Sequence, residues 1–507
     1  MRINSTTLFL IFTVLLLTFS CKDKLTKGVT IRTEYGRQKD TLTTEEASAD
    51  FNTLISALKT IHPALYKYTP EAELNGYFDS LRASIKTRIS VISLYNLARL
   101  AVSRIKCSHT FIKFNSQIQT ALQNDYNMLF LNFGVFYNAG HFYLNTEDTP
   151  AKFSELISIN GHTVPELYAD LSKYTTVDGG ENCIDSFQLG EDFYYKYYLN
   201  YDLKKFAATH KYDESPAQIT YKRNNHIETA IIKKRPFGFA YYSNPQNPLN
   251  LYTWDEDYDL AINDSEGYAV LTVKTFAFSK ERSKAFKHYV ENSFNLLSFK
   301  KNIKNLVIDI RNNAGGDIDL MDYFSSFTLG CTFKRCLSAK TKVRNFKSLP
   351  FETQVYDGAN DYVDSILMQD YDSINRNEFA LKQLKIPVYQ QAKNSFNGKI
   401  IILTNHGTGS AATYFASLHQ DRKRAVIVGE DPNGDYSGLS CFYQLSVTLP
   451  NSRLEVVIPV ADVKFDLINQ QPKNTRGLVP DFIVSQKLDE ALKGKDTQLN
   501  FAITLTE

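Results

Sequence analysis

Three kinds of hydrophobic spacing follow one another along this chain. Between residues 45 and 106 apolar positions recur at intervals of three and four. Phe51, Leu54, Ile55, Leu58 and Ile61 form one stripe, Tyr77, Leu81 and Ile85 a second, and the run from Leu94 to Ile105 a third. That spacing predicts amphipathic helices, the first capped by Asp50, and a small helical N-terminal domain over 45–110. From 111 to 250 the pattern becomes alternating: Phe111 to Phe114, Leu129 to Phe136, His141 to Leu144, Gln218 to Lys222. This predicts a β-rich module. Within it, 154–175 reads as a strand, an Asn160-Gly161 turn and a helix headed by Pro165-Glu166. From 251 to 507 strand-like runs alternate with helix-like ones. Strands are predicted at Tyr268 to Phe276, 305–311, Ile400 to Leu403 and Ala425 to Val428. Helices are predicted at 279–297 and Ala411 to Gln420. Phe442 to Leu449 and Leu454 to Val460 read as a hairpin turning at Pro450-Asn451-Ser452. The stretch 330–396 keeps no period, so it is expected to be a lid or substrate wall. The fold class is therefore α/β, in several domains.

The first forty-four residues stand apart. Met1-Arg2 supplies one positive charge, Leu8 to Leu17 an apolar core, and polar and small residues lead to Cys21. Residues 1–20 read as a secretory signal peptide, too short for a membrane span. Leu17-Thr18-Phe19-Ser20-Cys21 resembles a bacterial lipobox, which implies lipidation of Cys21; a plain cleaved signal is the other reading. Residues 21–44 are polar and read as a tether. The expectation is an exported lipoprotein held on a membrane of a bacterial cell envelope.

Composition excludes several classes. A formal charge of +2 over 507 residues offers no phosphate-binding patch, so no nucleic-acid partner is expected. Cys107, Cys183, Cys331, Cys336 and Cys441 are irregularly spaced, without Cys-x-x-Cys, and no histidines stand as His-Glu-x-x-His, so no metal or other cofactor is expected. Cys331 and Cys336 suit either a local disulfide or free thiols.

Chemistry concentrates in 397–430. An apolar run ends in Gly407-Thr408-Gly409-Ser410-Ala411, which opens a helix. Ser410 thus sits where unpaired helix N–H groups can stabilise negative charge. It is either an N-cap or a nucleophile beside an oxyanion site. Upstream, Asp309-x-Arg311-Asn312-Asn313-x-Gly315-Gly316 ends a buried strand. Downstream come Gln420-Asp421, Arg424-Ala425 and Gly429-Glu430, and then Gly477 to Pro480-Asp481. In this order the motifs resemble the core of the S41 serine peptidases, the C-terminal-processing and tail-specific proteases. The resemblance implies an α+β, ClpP/crotonase-like peptidase core over 251–507 and a substrate of peptides or unfolded protein segments. Ser410 would be the nucleophile, and the amides of Ala411 and of Gly316 or Gly315 the oxyanion hole. The Ile-Asn160-Gly161 pattern is similar to the PDZ-like module of such peptidases; a generic αβ insertion is the alternative for 111–250.

Many S41 peptidases use a lysine just beyond the Gly-Glu motif as the base. Here Asp435 occupies that place. The replacement indicated is His109, in Cys107-Ser108-His109-Thr110 at a helix-to-strand junction. This segment resembles that of the tricorn-like relatives that use histidine, where the preceding serine, here Ser108, assists. A histidine's ordinary pKa near 6.5 leaves it mostly neutral at pH 7, able to accept a proton. A satisfied polar histidine at a helix end is the bland reading of the same residue. The acid that would orient His109 is open between Glu430, Asp435 and Asp481. The lost lysine also motivates a second function, a catalytically silent S41-like surface lipoprotein that grips peptides or other ligands.

Overall fold

The computed structural model describes residues 41–115, 129–145, 151–179, 215–236, 257–356, 360–469 and 477–506, together with Phe193, Tyr197, Tyr201 and Leu249. The signal segment 1–20, Cys21 and Cys183 lie outside the described residues. No helix among the described residues is long and apolar enough to cross a membrane.

The N-terminal helices are Thr44–Ile61, Glu71–Ala83 and Val91–Ser103. The first begins earlier than Asp50. Thr43 caps it and Glu46 reaches back to the Thr43 amide, a reciprocal capping box. Asp50 instead lies inside the helix, fully buried. Its carboxylate accepts hydrogen bonds from the Asn451 amide, the Asn451 side chain and the Ser452 amide. A buried carboxylate needs such donors, and here they belong to the turn of a hairpin four hundred residues away. That contact clasps the helical domain to the core.

The β-rich module is a sheet in which Gly134–Asn138, His141–Asn145, Glu155–Ile159, Ala217–Arg223 and His226–Ile232 follow in antiparallel order. The helix Val164–Leu171 packs on it through Leu167 and Leu171. Phe111–Lys113, expected in this module, pairs instead with Glu455–Val457 of the core. An isolated three-residue alternation does not say which sheet it will join.

Two large sheets and the small pair Phe333–Lys334 with Val388–Tyr389 make up the core among the described residues. In the first, Tyr258–Asn263 runs antiparallel to Tyr268–Val273, and Asn305–Asp309, Lys399–Thr404, Ala425–Gly429 and Phe482–Ile483 follow in parallel. Its central strands are apolar throughout, as strands covered on both faces must be. Lys280–Phe299, Ile318–Thr328 and Ala411–Asp421 cover one face through Phe286, Phe294, Phe324 and Phe415. Thr497–Thr504 covers the other through Ala502 against Val307, Ile401, Leu403 and Val428. The second sheet is built on the hairpin Gly438–Thr448 and Glu455–Lys464. The stretch 330–396, expected as a lid, supplies four of its strands: Ser338–Thr341, Glu352–Val355, Tyr371–Asn375 and Glu378–Leu381. They are short, and Ser338–Thr341 and Glu352–Val355 pair with the distant hairpin, so the sequence shows no period. Cys331 and Cys336 are free thiols, one exposed and one buried.

Candidate active site

Ser410 stands between the parallel strand Lys399–Thr404 and the helix Ala411–Asp421, with φ 49° and ψ −120°. A non-glycine residue in that region is strained. Its side chain makes no capping hydrogen bond, so the N-cap reading of the hydroxyl does not hold. Instead Ser410 Oγ lies 3.3 Å from His109 Nε2. The two residues are 301 positions apart in the chain.

Four contacts hold the His109 loop. The helix Val91–Ser103 delivers it, and Phe111–Lys113 leaves it by joining the core hairpin. Lys106 O accepts from the Gly179 amide at 3.2 Å. Asp178, which no motif or period singles out, takes the Ser108 amide on Oδ1 at 2.9 Å and the Ser108 hydroxyl on Oδ2. Ser108 Oγ in turn lies 3.4 Å from His109 Nδ1. Because the Ser108 hydroxyl proton goes to Asp178, its oxygen is left to accept from Nδ1–H. That assigns the proton to Nδ1 and leaves Nε2 a bare acceptor facing Ser410. The hydrogen bonds run from Ser410 through His109 and Ser108 to Asp178, which accepts, and they place a buried carboxylate behind the imidazole. Asp178 is 7 % exposed.

The three other acids expected as candidates sit elsewhere. Glu430 lies 3.9 Å from His406 Nε2, and His406 Nδ1 donates to Asp431 O. Asp481 accepts from the Ile427 amide and Gln420. Asp435 accepts from the Tyr68 hydroxyl at 2.8 Å and the Ser437 amide at 2.8 Å, and pairs with Lys67 at 3.2 Å. Burial works to raise its carboxyl, but Lys67, the Ser437 groups and Tyr68 outweigh burial and hold it below the usual carboxylate range. A lysine thus does come to this corner, from the helical domain, and the aspartate binds it.

The Gly315-Gly316 turn packs directly on the Ser410 turn. A Cβ on Gly315 would lie 2.7 Å from Ser410 Cβ and 2.8 Å from the Ala411 amide. One on Gly316 would lie 2.3 Å from the Ala277 amide nitrogen and the Phe276 carbonyl carbon. Both residues adopt positive φ, 101° and 133°, which glycine alone adopts cheaply. The Gly315 amide donates to Asn313 Oδ1. Gly316 and Ala411 donate their amides to no acceptor among the described residues, and Ala411, as the first helical residue, has none within its helix.

The remaining motif residues lace the turns together. Asn405 and Asn312 exchange hydrogen bonds, Gly409 donates to Asn313 O, and Asn313 Nδ2 donates to Val273 O. Arg311 is buried and forks between Asp309 and Asp496, with Gln498 beside it. Arg424 donates to Gly398 O and Phe396 O, and Asp421 receives the Ile468 and Asn469 amides.

Residues 267–484 match the family model described as Peptidase family S41. A tricorn protease homolog of Saccharolobus solfataricus is 28% identical over 124 residues, which take in 24% of this chain and 11% of that protein. The match thus spans about a tenth of that relative's length. Among solved structures, mature CPAF complexed with lactacystin superposes with a TM-score of 0.61 at 13% identity, covering 91% of this chain and 98% of that one. Mature CPAF alone gives 0.58 at 13% identity, covering 91% and 96%. At such identities the likeness is one of fold.

Proposed function

We propose, for a chain whose residues 267–484 belong to peptidase family S41, that it is a serine endopeptidase acting on peptides or unfolded protein segments with Ser410 as nucleophile and His109 as base. The observation that carries this reading is the 3.3 Å approach of Ser410 Oγ to His109 Nε2, within reach of proton transfer. Ser410 Oγ attacks the scissile carbonyl as its proton passes to Nε2. The imidazolium keeps its Nδ1–H directed at Ser108 Oγ, whose own O–H donates to the Asp178 carboxylate, so the new charge is stabilised through two hydrogen bonds. The carbonyl oxygen becomes negative between the amides of Ala411 and Gly316. Collapse sends the Nε2 proton to the departing amine and leaves an acyl-serine. Water then repeats the sequence and frees the acid. Asp178 is a positioning residue here: it acts through Ser108. The lysine of other S41 peptidases is not required, because His109 takes the role of base and Lys67 is paired with Asp435. Export and anchoring through a lipidated Cys21 complete the proposal; they rest on the N-terminal sequence alone.

The test is casein or peptide hydrolysis together with labelling by a fluorophosphonate. The wild type should hydrolyse and label, and Ser410→Ala should do neither. His109→Ala should lose on the order of 10^4-fold in rate, as catalytic-unit deletions do. A folded wild type that neither hydrolyses nor labels would overturn the enzyme reading in favour of a silent binder.

A further inference from the structure

Beside the proton relay the fold assembles a second set of donors. Cys107, His109 and Asp178 each offer one ligand atom, and these three atoms lie within 4.8 Å of one another. We propose that they form an inhibitory site for a borderline-soft divalent cation, Zn2+ by its chemistry. Binding rests on this geometry alone; inhibition rests also on the reading of His109 as the base.

Thiolate, imidazole and carboxylate are the three side-chain donors that zinc prefers. Their zinc bonds of roughly 2.0–2.3 Å place tetrahedral ligands about 3.5 Å apart. The three atoms would have to draw together from within 4.8 Å to that spacing. The backbone is already fixed where it matters. Ser108 N donates to Asp178 Oδ1, Thr110 N donates to Cys107 O, and Gly179 N donates to Lys106 O. Three ligands leave the fourth position to water, as an open site requires. Cys107 and Asp178 are 3 % and 7 % exposed, so a bound ion would sit in a poorly hydrated place. Sequence spacing cannot show this site. Cys107 and His109 are two positions apart, and their third partner arrives on a different loop.

The consequence for catalysis is direct. An ion held by Asp178 removes the acceptor of the Ser108 hydroxyl, and an ion on the imidazole removes either its proton or its lone pair. In both cases Nε2 no longer receives the Ser410 proton with Nδ1–H supported behind it. The metal therefore competes with the relay for the same donors. Loading would expel the Cys107 proton to solvent, since the thiolate is the ligand.

The experiment has two readouts. Co2+ replaces Zn2+ on the purified full chain, and the thiolate-to-cobalt charge-transfer band is followed by absorbance. One equivalent should produce the band, and added Zn2+ should displace it. Cys107→Ala should abolish it, and Asp178→Asn should weaken cobalt binding tenfold or more. In parallel, Zn2+ should suppress wild-type hydrolysis reversibly with EDTA, each variant being scored against its own metal-free rate, and the two variants should need at least tenfold more Zn2+. Folding of each variant is checked by its thermal melt, and Cys107→Ser serves if the alanine form unfolds. A band that persists in Cys107→Ala, or no band in folded wild type, overturns the site. A band without any hydrolysis in metal-free enzyme leaves the site standing and overturns the peptidase reading instead. Full hydrolysis with the site loaded overturns the inhibitory role.

Discussion

Lys67 Nζ and Asp435 Oδ2 meet at 3.2 Å across the boundary between the helical domain and the core. Lys67 also donates to Gly438 O. The pair explains why the position held by lysine in many relatives can be acidic here: a second ammonium would face Lys67. Asp435→Lys and Lys67→Glu should each cost about 1–3 kcal/mol, and the double swap should recover about 1 kcal/mol or more of the summed loss. Urea unfolding of the four proteins checks this. Additive losses would show that the two charges do not interact.

Ser108→Ala and Asp178→Asn should lower kcat roughly 10- to 10^3-fold while KM changes little, because both act on the imidazole and not on bound peptide. Ser108→Thr keeps the hydroxyl and should restore much of the rate. Loss of kcat in exact proportion to loss of folded protein, without rescue by threonine, would reduce both residues to structural supports.

Gly316→Ala should destabilise by about 3 kcal/mol or more, since its Cβ would meet the Phe276–Ala277 backbone at 2.3 Å and its φ of 133° disfavours any side chain. Gly315→Ala should act more locally. Its Cβ meets Ser410 Cβ, so fluorophosphonate labelling should fall more than the melting temperature does. Equal labelling by Gly315→Ala and wild type would separate this turn from the nucleophile.

Two buried histidines predict acid lability. Burial first, then Lys342 and His109, lowers His62 to about 3. Burial lowers His419 to about 3 although its bond to Phe415 O works the other way. An unfolded histidine binds a proton near pH 6.5. Stability is therefore full above that pH and falls as pH drops toward 3, by about 1.4 kcal/mol per pH unit for each histidine. Urea midpoints measured from about pH 7 down to about pH 5 should show this slope, and His62→Gln or His419→Gln should each flatten it. An unchanged slope in both variants would refute the assignment.

Much of the site was legible because S41 motifs are local. The strand-turn-helix around Ser410 and the glycine pair each lie within a few residues, and their backbone demands are written in residue type. Resemblance and the absence of lysine point to His109; periodicity does not. Nothing local marks Asp178: it is a single acid in a loop, and its proposed role exists only through Ser108. Asp50 stands closer to the visible stripe than Thr43, which hides the first cap. The four strands of 330–396 carry too few alternations, four or five residues each, to show a period, and two of them pair with the remote hairpin at 438–464. Such long-range pairing is encoded by no local pattern.

The clasp of Asp50 on the turn at Asn451 and Ser452 has a temporal meaning. The proposed base is synthesised early and the proposed nucleophile 301 residues later, and the helices that carry the base share one hydrophobic cluster with the core hairpin. A growing chain thus holds the histidine without its serine until the core hairpin that seats it has been made. On the proposed mechanism, the protein's hydrolytic power dates from the moment the two parts seat against each other. Its own unfinished copies, which are unfolded polypeptide of the kind it is proposed to cut, are exposed to it only after that moment.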